Sequence, residues 1–225
     1  MEDTKEIRGK NLIMCEGRDE ELFFRYYLNS SERKAEDLRY SEDVYVFNFG
    51  GISDLQRQLK TIRSVPGLNS IKTLLILRDA EKDAQAAISQ VKKDLNKTNF
   101  SVPNNVGEWS TEGNPRTAFM LFPSLGKKPI DGTLEDMCLK MIKKDYQPNV
   151  VIDKFEKSMK ELENDGIREY SHPFKSKMHG FLSLTDKFVG MKIGEAARAG
   201  AFDWNHPELA ELNRIMQESF EIAES

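Results

Sequence analysis

The feature that most constrains this chain is a set of short apolar runs, each stopped by a turn that carries acid or glycine. Leu12-Ile13-Met14-Cys15 after Asn11, and Leu74-Leu75-Ile76-Leu77 after Thr73, show no alternation of polar and apolar residues. Runs of that length without alternation predict strands buried on both faces, as in a parallel sheet covered by helices. Val44-Tyr45-Val46-Phe47-Asn48-Phe49 is β-branched and aromatic and predicts another strand, closed by Gly50-Gly51.

Between these runs the period becomes helical. Leu22, Phe23, Tyr26 and Tyr27 recur at helical spacing over residues 19–28, and Asp19, Glu20 and Glu21 fill the first turn, where the helix dipole favours negative charge. Ser53 predicts a cap for a helix carrying Ile52, Leu55, Leu59 and Ile62 on one side, stopped by Pro66-Gly67. A further helix follows the Thr73 run, to about residue 95. Residues 97–117 turn to Asn, Pro, Gly, Ser and Thr, which predicts a hairpin turning at Gly113-Asn114-Pro115, with residues 117–122 as its inner strand. A helix is expected over residues 133–144.

After Pro148 the strand signal stops, and residues 151–165, 174–188 and 207–222 predict helices. The expected fold is α/β: a mostly parallel central sheet with flanking helices over residues 1–146. A helical C-terminal extension, residues 147–225, would pack on it.

Composition narrows the function classes. A net charge of −4 over 225 residues argues against a binder that holds nucleic acid by a basic patch. It leaves room for a metal-dependent enzyme, whose site gathers carboxylates around a cation. Cys15 and Cys138 lie among apolar residues and read as reduced core thiols. Residues 1–10 are charged and no run is long enough to span a bilayer, so the expectation is a cytoplasmic protein without membrane contact.

Ligands of open α/β sheets gather beyond the carboxyl ends of the strands. Glu16 follows the first run. Asp79 and Glu81, with Asp83 nearby, follow the third, and Asp131, Glu135 and Asp136 lie after residue 122. Carboxylates that converge raise one another's pKa unless a cation neutralises them. Oxygen ligands without nearby His or Cys favour Mg²⁺, Mn²⁺ or Ca²⁺ over zinc. In an extended chain, Asp79 and Glu81 project to the same side, and Gly17 would let the chain turn sharply and a phosphate approach. Acids at helix N-termini also serve the dipole, so Glu16 alone reads equally as a turn residue.

The order of these motifs resembles the TOPRIM fold of topoisomerases, primases and OLD-type nucleases. It is most similar to a small stand-alone TOPRIM-like family of uncharacterised function. The residues that carry the resemblance are Glu16-Gly17, Asp79-Ala80-Glu81-Lys82-Asp83, Leu121-Phe122-Pro123 and Gly132-Thr133-Leu134-Glu135-Asp136. Glu81 stands where an Asp is usual, and Arg78 precedes the acidic turn, to contact a phosphate or to pair with a neighbouring acid. The resemblance implies Glu16 as general acid/base or metal ligand, and Mg²⁺ (or Mn²⁺) held by Asp79 and Glu81. Asp83 would be a further metal ligand and Glu135 would help to hold a second ion. The segment from Phe174 to Leu182 resembles that family's C-terminal helix, whose Lys-rich turn implies Lys177 as a transition-state cation; a solvated lysine on an amphipathic helix is the alternative.

The implied function is Mg²⁺-dependent phosphodiester chemistry on nucleic acid, a nuclease-like TOPRIM activity. The alternative is a non-enzymatic module of the same fold that binds a nucleotide or a partner, including one that serves a defence system. Nucleic acid, a protein partner or a second copy of the chain are the partners these readings allow.

Overall fold

The computed structural model describes residues 7, 9–30, 43–51, 54–126 and 128–224. The expected cap Ser53 and its neighbour Ile52 lie outside the described residues. Four strands, β1 (Asn11–Cys15), β2 (Val44–Asn48), β3 (Thr73–Asp79) and β4 (Arg116–Phe122), form a parallel sheet in the order β2-β1-β3-β4. The helices are α1 (Arg18–Asn29), α2 (Leu55–Ile62), α3 (Ala84–Lys97), α4 (Leu134–Met141), α5 (Pro148–Asn164), α6 (Pro173–Leu184), α7 (Ile193–Arg198) and α8 (Ala210–Glu224).

The chain steps one way from β1 to β2, then the other way to β3 and on to β4. Because β-α-β crossovers are right-handed, this reversal sends α1 to one face of the sheet and α2 and α3 to the other. Side chains alternate between the two faces, and both residue sets of β1, β3 and β4 are buried, whereas in the edge strand β2 only Val46 is. Ile13, Cys15, Leu75, Leu77 and Met120 meet Phe23, Phe24 and Tyr27 of α1. Leu12, Met14, Leu74, Ile76 and Leu121 meet Leu55 and Leu59 of α2 and Val91 and Leu95 of α3. Burial on both sides is the physical reason for the unbroken apolar runs.

The C-terminal helices join the first of these cores. Phe202 and Trp204 pack against Phe23 with ring centroids 5.6 and 5.2 Å apart, and Leu212 and Ile215 of α8 lie in the same cluster. Each such ring contributes ~2 kcal/mol through burial. Among the described residues no helix is long and apolar enough to cross a membrane.

Three expectations are corrected. The hairpin expected over residues 97–117 is met only in part: its inner strand is β4, which begins at Arg116 and also pairs in parallel with β3, but its outer arm is a loop and not a strand. The loop instead runs back along β4, with Gly107 N–H donating to Phe119 O at 2.9 Å and Ser110 N–H to Thr117 O at 2.7 Å. It covers an edge that would otherwise expose unpaired backbone groups. β3 extends two residues past Leu77, so Asp79 ends the strand instead of sitting in the turn. α4 stops at Met141, and Ile142 bridges Phe202 in antiparallel fashion, which turns the chain toward the tail.

Candidate functional site at the sheet's switch point

The strand order reverses between β1 and β3, and the crevice beyond their carboxyl ends is where ligands of such sheets bind. Glu16 and Arg78 stand one residue past the last β1–β3 register pair, Cys15 with Leu77, and Asp79 follows. Two helix N-termini converge on the same rim. α1 supplies Glu20 in its first turn and α4 supplies Glu135 in its own.

Asp79 is almost wholly buried, and its Oδ1 accepts the Leu134 N–H at 2.8 Å. That bond holds α4 against the end of β3. Burial pushes the Asp79 pKa up to about 8, the charges of Glu135 and Glu16 add to the rise, and the Leu134 N–H opposes it. Burial likewise raises Glu20, with Glu135 and Asp19 adding to it and Lys175 opposing.

Glu16 is raised by burial and by the charges of Glu20 and Glu81, while the Arg78 guanidinium and the Asp79 backbone N–H pull it down. Arg78 is 2 % exposed, and its Nε donates to Asp79 O at 3.3 Å. Glu16 Oε2 and Arg78 Nη1 are both buried and have no hydrogen-bond partner. A buried polar atom left unpaired costs ~1–3 kcal/mol, and such atoms often mark the place of a ligand.

Glu81 is not reached by strand alternation, which corrects the expectation of a shared side with Asp79. Its φ is +57°, so the chain is no longer extended there. The conformation is held by paired backbone bonds, Glu81 N–H to Gly132 O at 2.9 Å and Gly132 N–H to Glu81 O at 2.8 Å. Gly132 is required at its place: its φ is +138°, and a Cβ there would meet Pro123 Cδ at 2.8 Å.

Three neighbouring acids serve as helix caps. Asp83 Oδ1 accepts the Ala86 N–H and Asp131 Oδ1 the Ala84 N–H, each at 2.9 Å, at the start of α3. Asp136 Oδ2 accepts the Thr133 N–H at 2.8 Å in a capping box that starts α4. Asp83 is thus occupied by a structural bond.

Gly17 has extended backbone, φ −132°, which any residue adopts. What it supplies is space, since a Cβ would stand 2.6 Å from Glu20 Oε2. The chain bends at Glu16-Gly17 without a conformation that needs glycine, and the missing side chain lets Glu20 lie close to the rim.

The lysine facing the acids is Lys175, in the first turn of α6. Burial lowers its pKa, but the charges of Glu135, Asp79, Glu81 and Glu20 outweigh this and leave it raised. Lys177 points elsewhere: its Nζ lies 3.1 Å from Glu156 Oε2 on α5 and 4.7 Å from the Phe174 ring centroid. The Lys-rich turn signalled the right segment, but only the packing of α6 selects between lysines two residues apart. Beside the acids, Glu81, Lys82, Gly132, Thr133, Phe174 and Lys175 line part of an open cleft of about 290 Å³.

Among the described residues no three His, Cys, Asp or Glu side chains are grouped closely enough to hold a metal ion directly. The donor set nonetheless suits Mg²⁺, which keeps several waters and takes one or two carboxylates together with substrate phosphate oxygens. The unpartnered Glu16 oxygen and the acids that raise Asp79 are the features a divalent cation relieves.

A family described as "Protein of unknown function (DUF3226)" matches residues 10–221. No curated protein and no solved structure matches the chain.

Proposed function

We propose that this chain, which belongs to the DUF3226 family, is a TOPRIM-like enzyme of Mg²⁺- or Mn²⁺-dependent phosphodiester cleavage on nucleic acid. The observation that carries the reading is Glu16 Oε2, buried without a partner at the switch point, between the acid cluster and a buried guanidinium.

Each residue has a part in this reading. Glu16, kept toward its ionised form by Arg78, accepts a proton from an attacking water. Asp79, with Glu16, would hold the cation, and Glu81, Glu20 and Glu135 add the negative potential that draws it in. A bound divalent cation would neutralise phosphate charge and lower the pKa of a coordinated water. Lys175 faces the charge that develops on the phosphate oxygens, the role first expected of Lys177. Arg78 acts through Glu16, because its burial keeps it from bulk solvent and from an exposed phosphate. Gly17 leaves Glu20 its place instead of contacting phosphate.

The test is cleavage of end-labelled DNA and RNA oligonucleotides with Mn²⁺, alongside calorimetric titration of the metal. Glu16→Gln and Asp79→Asn should each lower cleavage by ~100-fold or more, with the melting transition retained. Cleavage that survives both substitutions rejects the assignment.

One observation favours a second reading. Among the described residues no three acids, His or Cys are grouped as direct ligands, and a non-enzymatic module that binds a nucleotide or a protein partner needs no such group. Absence of heat on titration with millimolar Mg²⁺ or Mn²⁺ would favour it.

A further inference from the structure

Phe174 is a large apolar side chain left 44 % exposed in the first turn of α6, and it lines the cleft beside the acids. Its position is well determined. Lys177 Nζ lies 4.7 Å from the ring centroid and is itself held by Glu156 at 3.1 Å. A cation placed against an aromatic ring fixes the ring's orientation as well as adding attraction. Pro173, which precedes the ring at the first helical position, restricts the backbone there.

The cleft pairs this ring with two cations and a hydroxyl, Lys82, Lys175 and Thr133, alongside the acids Glu81, Asp131 and Asp136, of which Asp131 and Asp136 are engaged as helix caps. Apolar ring, cations and hydroxyl together match the parts of one nucleotide, a planar base with an anionic backbone. The volume, about 290 Å³, is on the scale of a single nucleotide. A base still paired and stacked in a duplex cannot reach a ring set in such a cleft.

We infer that Phe174 is the stacking platform for one unpaired base of the substrate, with Lys175 and Lys82 on the adjoining phosphates, so that the protein selects single-stranded nucleic acid. This inference rests on the nucleic-acid reading of the neighbouring acid cluster and names the substrate form that cluster would take. Stacking on an aromatic ring is tolerant of sequence, since every base has a π-face. The selection is therefore for strandedness and not for a particular base.

The experiment measures fluorescence anisotropy of a labelled 12-nucleotide strand, the same strand in duplex, and the same strand with an abasic centre. The full chain is used with Ca²⁺ in place of Mg²⁺ to suppress turnover. The intact single strand should bind about tenfold tighter than the duplex or the abasic strand. Phe174→Ala should remove that advantage and Phe174→Trp should keep it. The salt dependence of binding, set by the lysines, should be unchanged in both. The exposed position of the ring lets these variants fold, which their melting curves verify. Equal binding of the three probes, or full affinity in Phe174→Ala, overturns the inference while leaving the acid-cluster reading intact. Failure of all three probes to bind, with Mn²⁺ titration silent as well, overturns both.

Discussion

Asp79 Oδ1 accepts the backbone N–H of Leu134 at 2.8 Å, so the carboxylate that ends β3 also secures the start of α4. One side chain thereby joins the sheet to the helix that carries Glu135. The same arrangement draws that acid toward Asp79, whose cost of ionisation its charge raises.

The first prediction follows from that cost. The Asp79 pKa is about 8 when folded, against 3.8 as its ordinary value. The folded state therefore binds the proton more tightly, and stability falls as pH rises from about 4 to about 8. Asp79→Asn keeps an oxygen for the Leu134 N–H and removes the charge. Its melting temperature should exceed that of the parent at the alkaline end, with a flatter dependence on pH, in melts recorded with chelator present. An unchanged slope would show that Asp79 is ionised at little cost.

Divalent metal should act against the same penalty. A cation that replaces the proton on Asp79 binds more tightly as pH rises toward about 8. Millimolar Mn²⁺ should then raise the melting temperature more at alkaline than at acidic pH. Differential scanning calorimetry at both ends of the range reads the difference, and an equal shift at both ends counts against binding at Asp79.

Gly17→Ala separates space from backbone freedom. The backbone there suits alanine, and the clash is with the movable end of Glu20. Stability should change by less than ~1 kcal/mol. Metal affinity should drop severalfold because Glu20 is displaced, as calorimetric titration of the folded variant would read. A large loss of stability would instead point to a backbone requirement.

The two lysines of α6 should respond differently. Lys175→Met removes a cation facing Glu135, Asp79, Glu81 and Glu20, so the Asp79 pKa should rise further and catalysis should fall. Lys177→Met breaks a partly buried ion pair with Glu156, worth ~1 kcal/mol or less. It should leave the Asp79 titration, read by carboxyl carbon NMR, where it was. A matching shift in both variants would contradict the placement of the lysines.

Gly132→Ala is expected to be the most damaging small change at the site. A side chain at φ +138° is strained, and its Cβ would press on the Pro123 ring. The cost should be ~1–3 kcal/mol in chemical denaturation, with loss of the paired bonds that fix Glu81. A stable variant with intact metal binding would show that Glu81 is held by other means.

Much of this was legible in the residues themselves. The unbroken apolar runs at Leu12 and Leu74 announced strands buried on both faces, because such burial leaves no position where a polar side chain meets water. The acids at residues 16 and 79 announced a rim. The turn before β4 is legible from glycine and proline, but these residues do not say whether the outer arm forms a strand; it is a loop, joined to β4 through Gly107 and Ser110.

By itself, then, the sequence determined the α/β class, the strands over residues 11–15, 44–49, 73–77 and 117–122 to within two residues, and the acid-bearing ends of the first and third. Those depend on local pattern, which the chain states directly. Tertiary structure decided which acids face one another. Asp83, Asp131 and Asp136 are occupied as helix caps, whereas Glu20 and Glu135 reach the rim because α1 and α4 start there. It also decided that Lys175 and not Lys177 faces the acids. The choice depends on how α6 is rotated against α4 and α5, and that rotation is set by packing between elements, not by local pattern.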